Sequence, residues 1–334
     1  MVVDQKNTSD NDLPLYAIYG PGRSGTTWLG SIINSHPDIA YRFEPLRKNL
    51  RVPRVKKIWQ TSQTDKISNK ELKRLLYNSL LPAHSLLDKP PFFKKTNTKL
   101  LGHKLAWSLA RKIPSANAVC EQLYTPTGSP PLVFKEVHWQ IIERFIQPLH
   151  LRSVFILRSP HGTIASRLRG QRAGLMPTGQ CKHLEQVIEN HRPSLADELP
   201  QPVSTYNDVQ KNAVLWRLEA ERMVDYIQEH PEHILVFYED LCTRPFEIAR
   251  EIFQHFDIPW HQQTEDFIMQ STSSKDSLRN REIGINAYFS VSRNTTEVVN
   301  RWSQELTATE KEQIDEIIYP SKAYQFALQQ GMWS

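Results

Sequence analysis

Arg23, Ser24, Gly25, Thr26 and Thr27 form a dense cluster of anion-binding groups just after the turn residues Gly20-Pro21-Gly22. The apolar run that starts at Tyr16 reads as a buried parallel strand. Glycine then permits a tight turn and close approach of a ligand to the backbone. A helix opening on Ser24 to Thr27 and continuing through Trp28, Leu29, Ile32 and Ile33 would face an anion with its N–H groups and positive dipole end. The chemistry this permits is the cradling of a phosphate. Gly20 and Gly25 have the spacing of the nucleotide loop GxxxxGK[ST], but Thr26 stands where an ATPase needs lysine. The cation is Arg23, a planar and permanently charged fork ahead of the second glycine.

A second candidate anion site follows the β-branched run Ser153 to Leu157. Arg158 leaves that run, and Ser166 lies eight residues on, in HGTIASRL. Eight residues are about two helical turns, so a chain that bends back brings both side chains to one anion. Glu44 ends the short apolar segment DIAYRF, at the edge of an α/β sheet where ligands gather. It is either a functional carboxylate or a partner for Arg42 or Arg47. Lys135, Glu136 and His138 end another short run, Pro131 to Lys135. Ile234 to Tyr238 followed by Glu239-Asp240 has the look of a Walker B strand, the feature that speaks for a rival nucleotide kinase.

GRSGTTWL resembles the 5′-phosphosulfate loop of sulfotransferases that use PAPS (3′-phosphoadenosine 5′-phosphosulfate). The arginine form, followed by HPDIAYRFEPL, is similar to the Golgi carbohydrate sulfotransferases and, less closely, to the tyrosylprotein sulfotransferases. SPHGTIASRLRG, YEDL and RNTTEVVNRW extend the resemblance over most of the chain. It implies that Arg23, Ser24, Gly25, Thr26, Thr27 and Trp28 hold the phosphosulfate, and that Arg158 and Ser166 hold the 3′-phosphate. It also implies that Tyr238, Ser290 and Arg293 touch the nucleotide. Glu44 matches the glutamate proposed as general base. Cytosolic members carry the base in a KTH motif; here Lys135-Glu136-Val137-His138 displaces the histidine by one place, which makes His138 the second candidate. Lys135 either reaches the sulfuryl oxygens or pairs with a carboxylate. The implied reaction moves a sulfuryl group from PAPS to an acceptor hydroxyl, on a carbohydrate or small molecule, and releases PAP. The alternatives are a P-loop nucleotide kinase and a non-catalytic nucleotide-binding module.

The elements that must position these groups are short strands at 16–19, 38–43, 131–135, 153–157 and 234–238, separated by helical patterns. They describe an α/β chain: a P-loop-like three-layer fold with a central, mostly parallel sheet flanked by helices. The 334 residues suffice for a tail over 1–13 and one domain over 14–334. A helical insertion is expected at about 46–130, where Ser68 and Glu71 form a capping box. The polar stretch at about 167–208, rich in arginine at Arg167, Arg169 and Arg172, reads as a lid or acceptor segment. A net charge of +5 without a long Lys/Arg run suits an anionic cofactor and falls short of a nucleic-acid signature. No apolar stretch approaches the roughly 20 residues of a membrane span. Cys120, Cys181 and Cys242 lack metal spacing and read as reduced thiols in the cytoplasm. No His/Cys/carboxylate cluster has ligand spacing, so no metal is expected.

Overall fold

Near-continuous runs of apolar residues, many β-branched or aromatic, make five short parallel strands, buried because helices cover a parallel sheet. In the computed structural model, which describes residues 13–63, 67–96, 98, 102–176, 183–273 and 299–333, these are β1 (Leu15–Tyr19), β2 (Ala40–Phe43), β3 (Leu132–Glu136), β4 (Ser153–Leu157) and β5 (Ile234–Phe237). They form one five-stranded sheet in the order β2-β3-β1-β4-β5. The fold is a three-layer α/β fold. The chain divides into two compact units, the first comprising Thr27–Ser153, Phe253–Glu265 and the strand before Gly20, the second Gly20–Thr26, Val154–Ile252 and the chain from Asp266 on.

In the first unit β3 lies between β1 and β2. Tyr19 is in register with Glu136, and Phe43 with Lys135, so the residues that follow all three strands leave from one edge. Helix α1 (Thr26–Ser35) stops before Pro37, as proline disfavours helix in its predecessor. The insertion between β2 and β3 is helical: α2 (Pro53–Ser62), α3 (Asn69–Leu80), α4 (His103–Lys112) and α5 (Asn117–Tyr124). The capping box on α3 is present in both directions, Ser68 taking the Glu71 N–H and Glu71 taking the Ser68 N–H. α2 and α3 bury Val55, Ile58, Leu72, Leu76 and Leu80.

In the second unit β4 pairs with β5, with Val154 opposite Ile234. The long helix Asp208–Glu229, capped by Asn207, buries Trp216, which is 1% exposed. The arginine-rich start of the segment at about 167–208 is helical: α6 (Pro160–Arg172) runs through Arg167, Arg169 and Arg172. Ile164, Ala165 and Leu168 continue the helix spacing and are buried, and the arginines pair with Glu219, Glu305 and Glu310. The segment that follows contains helices at Leu184–His191 and Leu195–Glu198. One reading of the sequence needs correction: the strand expected at 234–238 stops one residue early, and Tyr238–Thr243 is a helix. Glu239 and Asp240 therefore sit in a first helical turn, where acids favour the dipole. Both Glu239 oxygens are occupied, by Ser159 N at 3.0 Å and Trp333 Nε1 at 3.1 Å. The Walker B resemblance of this stretch does not survive.

Candidate active site

The glycine turn is built where β1 ends. A Cβ on Gly20 would lie 2.6 Å from both Ile156 O and Ser24 Oγ, so only glycine fits there. Arg23 takes a left-handed backbone conformation, φ 78°, a cost that persists only where surroundings enforce it. The surroundings are visible. Gly22 O accepts from Arg167 Nε at 3.3 Å and Nη2 at 3.2 Å, and Arg23 O accepts from Arg158 Nη1 at 3.3 Å. Arg23 Nε donates to Ser166 Oγ at 3.0 Å. The sequence assigned Arg23 and Ser166 to two different phosphates; the structure puts their side chains in contact.

Arg158 is 6% exposed. Its guanidinium lies 4.5 Å above the Tyr238 ring, a cation–π arrangement, and its carbonyl accepts from Trp216 Nε1 at 3.1 Å. Trp216 is thus a core residue that also fixes the strand end. No carboxylate among the described residues pairs with Arg158, and its Nε is buried without a hydrogen-bond partner, as is Ser24 Oγ. Buried polar atoms in native proteins are normally satisfied. Two such atoms flanking one glycine turn, with Arg23 and Ser166 between them in the network, suit a bound polyanion. The residues present therefore fit a nucleotide with phosphate-like groups.

Gly25 completes this half of the site. Its φ is +99°, and a Cβ there would come within 2.2 Å of Tyr238 Cδ2. Gly25→Ala must displace the ring on which Arg158 rests. We expect it to cost about 1–3 kcal/mol of stability, measured by thermal unfolding.

The first unit carries the other residues. Thr27 begins the part of α1 that belongs to it, and Trp28 is buried. Glu44 also has a left-handed backbone, φ 44°. Its Oε1 accepts from Lys135 Nζ at 2.5 Å, and its Oε2 lies 3.6 Å from Arg47 Nε. Lys135 is 1% exposed, so of the two roles open to it the structure shows the pairing. Arg42 goes instead to Asp88, at 3.0 Å. Burial alone would raise the Glu44 carboxyl, but the charge and hydrogen bond of Lys135, with Arg47 and Lys89, hold it below the ordinary carboxylate range. It is an ionised, oriented carboxylate. His138 is exposed and lines a cavity of about 480 Å³, with Leu46, Arg47, Lys48, Trp59 and Gln140 also among its walls.

Ser290 and Arg293 lie outside the described residues, as do Cys181 and the tail up to residue 12. Among the described residues no group of three His, Cys, Asp or Glu side chains is arranged for a metal, and no helix is long and apolar enough to cross a membrane. Sequence reasoning missed two residues. Arg167, which holds the loop carbonyl, was grouped with a lid; its spacing of one after Ser166 was the available signal. Glu136, fully buried at the end of β3, was read only as a polar strand end.

The profile of the sulfotransferase domain family matches residues 16–327. Carbohydrate sulfotransferase 3 of Mus musculus is 23% identical over 309 residues, covering 84% of this chain and 61% of that protein. The Rattus norvegicus protein of the same name is 23% identical over 312 residues, covering 84% and 60%. The chain thus spans about three fifths of the length of these curated relatives. Among solved structures, the sulfotransferase domain of the Synechococcus PCC 7002 olefin synthase has 15% identity, covers 97% of this chain and 98% of that one, and gives a TM-score of 0.49. Mouse sulfotransferase SULT7A1 complexed with PAP has 13% identity, covers 93% and 85%, and gives 0.46.

Proposed function

Because this chain belongs to the sulfotransferase domain family, we propose that it transfers a sulfuryl group from PAPS to a hydroxyl of a carbohydrate and releases PAP. The observation that carries the donor reading is the pair of buried, unpartnered atoms, Ser24 Oγ and Arg158 Nε, on the network that joins Arg23 to Ser166. PAPS would supply the activated sulfuryl group. Arg23, with the loop amides and the hydroxyls of Ser24, Thr26 and Thr27, would bind the phosphosulfate and oppose the charge that grows on the leaving oxygen. Arg158 and Ser166 would take the 3′-phosphate, through charge-assisted hydrogen bonds. Glu44, held ionised by Lys135, would accept the proton of the acceptor hydroxyl as its oxygen attacks sulfur in line. His138 lines the cavity and is the second candidate for that proton.

The carbohydrate reading draws on the name of the curated relatives and on the cavity two residues beyond Glu44. Its walls combine an aromatic side chain, Trp59, with the donors Arg47, Lys48 and Gln140, a mixture suited to a ring bearing hydroxyls. We place the chain in a reducing compartment, the cytoplasm, on its cysteine usage: Cys120, Cys181 and Cys242 are few, odd in number and widely spaced.

Thermal unfolding with PAP, with ATP and Mg²⁺, and without ligand tests the donor. At a hundredfold excess over its Kd, PAP should stabilise the protein by about 2.7 kcal/mol, whereas ATP should do much less. A larger shift with ATP would favour a kinase. A PAP shift without transfer from labelled PAPS to any member of a glycan panel, read by mass spectrometry, would favour a binding module.

A further inference from the structure

The turn that carries Glu44 is tied to the end of β3 at three points. Glu44 N donates to Lys135 O at 2.8 Å. Glu44 Oε1 takes the Lys135 ammonium. Two residues on, Leu46 N donates to Glu136 Oε1 at 2.6 Å. The Leu46 carbonyl accepts from Trp59 Nε1 at 2.9 Å, so both backbone polar groups of Leu46 are held. Glu136 itself is 0% exposed, and its Oε2 has no hydrogen-bond partner among the described residues.

A buried carboxyl is a costly way to accept one N–H, since a glutamine of the same shape would serve. The ionisable groups that act on it are Glu44, Lys135 and Arg47. Tyr41, with its hydroxyl also buried and unpartnered, is the other neighbour; burial, with Glu44 and Glu136, pushes its ionisation far above the ordinary range. Tyr41 therefore does not titrate near neutrality. Lys135 and Arg47, which pair with Glu44, are the two cations whose charge reaches Glu136.

We infer that Glu136 is a positioning residue for the transfer reaction, pinning the turn that carries Glu44 and acting on Glu44 through its own charge when it ionises. The inference rests on the reading of Glu44 as the base. Burial pushes the Glu136 carboxyl up to about 8, the Leu46 N–H, Lys135 and Arg47 pulling the other way and the Glu44 charge adding to the push. At neutral pH Glu136 thus keeps its proton while Glu44, paired with Lys135, is ionised. Once Glu136 ionises, the added negative charge raises the proton affinity of Glu44. Turnover by a general base follows that affinity.

Two measurements on the full chain test this. The first follows the carboxyl signals of glutamate labelled with ¹³C, between about pH 6 and 9.5. The signal lost in Glu136→Gln should titrate near 8 in the wild type and move down by about one unit in Glu44→Gln, where the like charge is gone. A Glu136 signal that titrates in the ordinary carboxylate range, or that ignores Glu44→Gln, overturns the inference without touching the donor reading. The second is kcat against pH with PAPS and chito-oligosaccharides as probe acceptor. Wild type should show an inflection near 8 that Glu136→Gln lacks, and His138→Gln should keep it. Glu136→Gln should stay within about threefold of wild type at pH 7, while Glu136→Ala loses about tenfold or more in kcat with KM for PAPS unchanged. Superimposable profiles for wild type and Glu136→Gln overturn the inference; should Glu136→Ala fail to fold, the glutamine variant decides alone. Failure of every form to transfer sulfate would count against the proposed reaction, and the carboxyl titration would still decide the coupling.

Discussion

Glu44→Gln is expected to keep its affinity for PAP within about twofold and to lower kcat for sulfuryl transfer by roughly 10²–10⁴-fold, the usual contribution of a positioned base. The side chain is held by Lys135 at 2.5 Å, and glutamine has the same shape, so the turn should survive. Arg23, Ser24, Thr26, Arg158 and Ser166, proposed to hold the nucleotide, form no hydrogen bond or ion pair with Glu44, which is why binding should be spared. The pH dependence adds a second check. Lys135, Arg47 and Lys89 outweigh burial and keep the carboxyl below its ordinary range. A base must be unprotonated to act, so activity should fall only as pH drops through that depressed value, and a loss of kcat at or above the ordinary carboxylate range would have another source. His138→Gln should cost less than about tenfold. If instead Glu44→Gln turns over normally and His138→Gln does not, the base is the histidine that the displaced KTH motif suggested.

Local signals fixed most of the scaffold because each was self-contained. The apolar run Ser153 to Leu157, the proline after Ser35-His36 and the capping box at Ser68 all encode their own geometry. The contacts of Arg167, Arg169 and Arg172 were not legible: Ile164 and Leu168 keep one face of α6 in the core, and the arginines find Glu219, Glu305 and Glu310 far along the chain. Such partners cannot be read from spacing. The acids after Phe237 looked like a strand end because an apolar run does not announce its last residue; Tyr238 begins a helix, packs under Arg158 and walls Gly25. In the site, the glycine turn and Arg158 were legible, since residue type and position carry the chemistry. The Lys135–Glu44 pair and the buried Glu136 were not, because they depend on β2 and β3 being neighbours in register.

Arg158→Ala should weaken PAP far more than adenosine 5′-phosphosulfate, which lacks the 3′-phosphate. A charge-assisted hydrogen bond contributes roughly 1.5–3 kcal/mol, so loss of one corresponds to about ten- to a hundredfold in Kd. Part of the effect will be common to both nucleotides. Arg158 Nη1 also holds Arg23 O at 3.3 Å and the guanidinium covers the Tyr238 ring, so its removal loosens the turn that both ligands use. The ratio of the two losses isolates the 3′-phosphate contribution. Arg158→Lys should recover a fraction of the PAP affinity as a point charge but not the fork. Equal weakening of both nucleotides in calorimetry would mean that Arg158 only braces the turn, and the 3′-phosphate would then have to be sought elsewhere. A selective loss would leave Ser166, already bonded to Arg23 Nε at 3.0 Å, as the hydroxyl linking the two ends of the nucleotide site, and Ser166→Ala should then weaken both ligands.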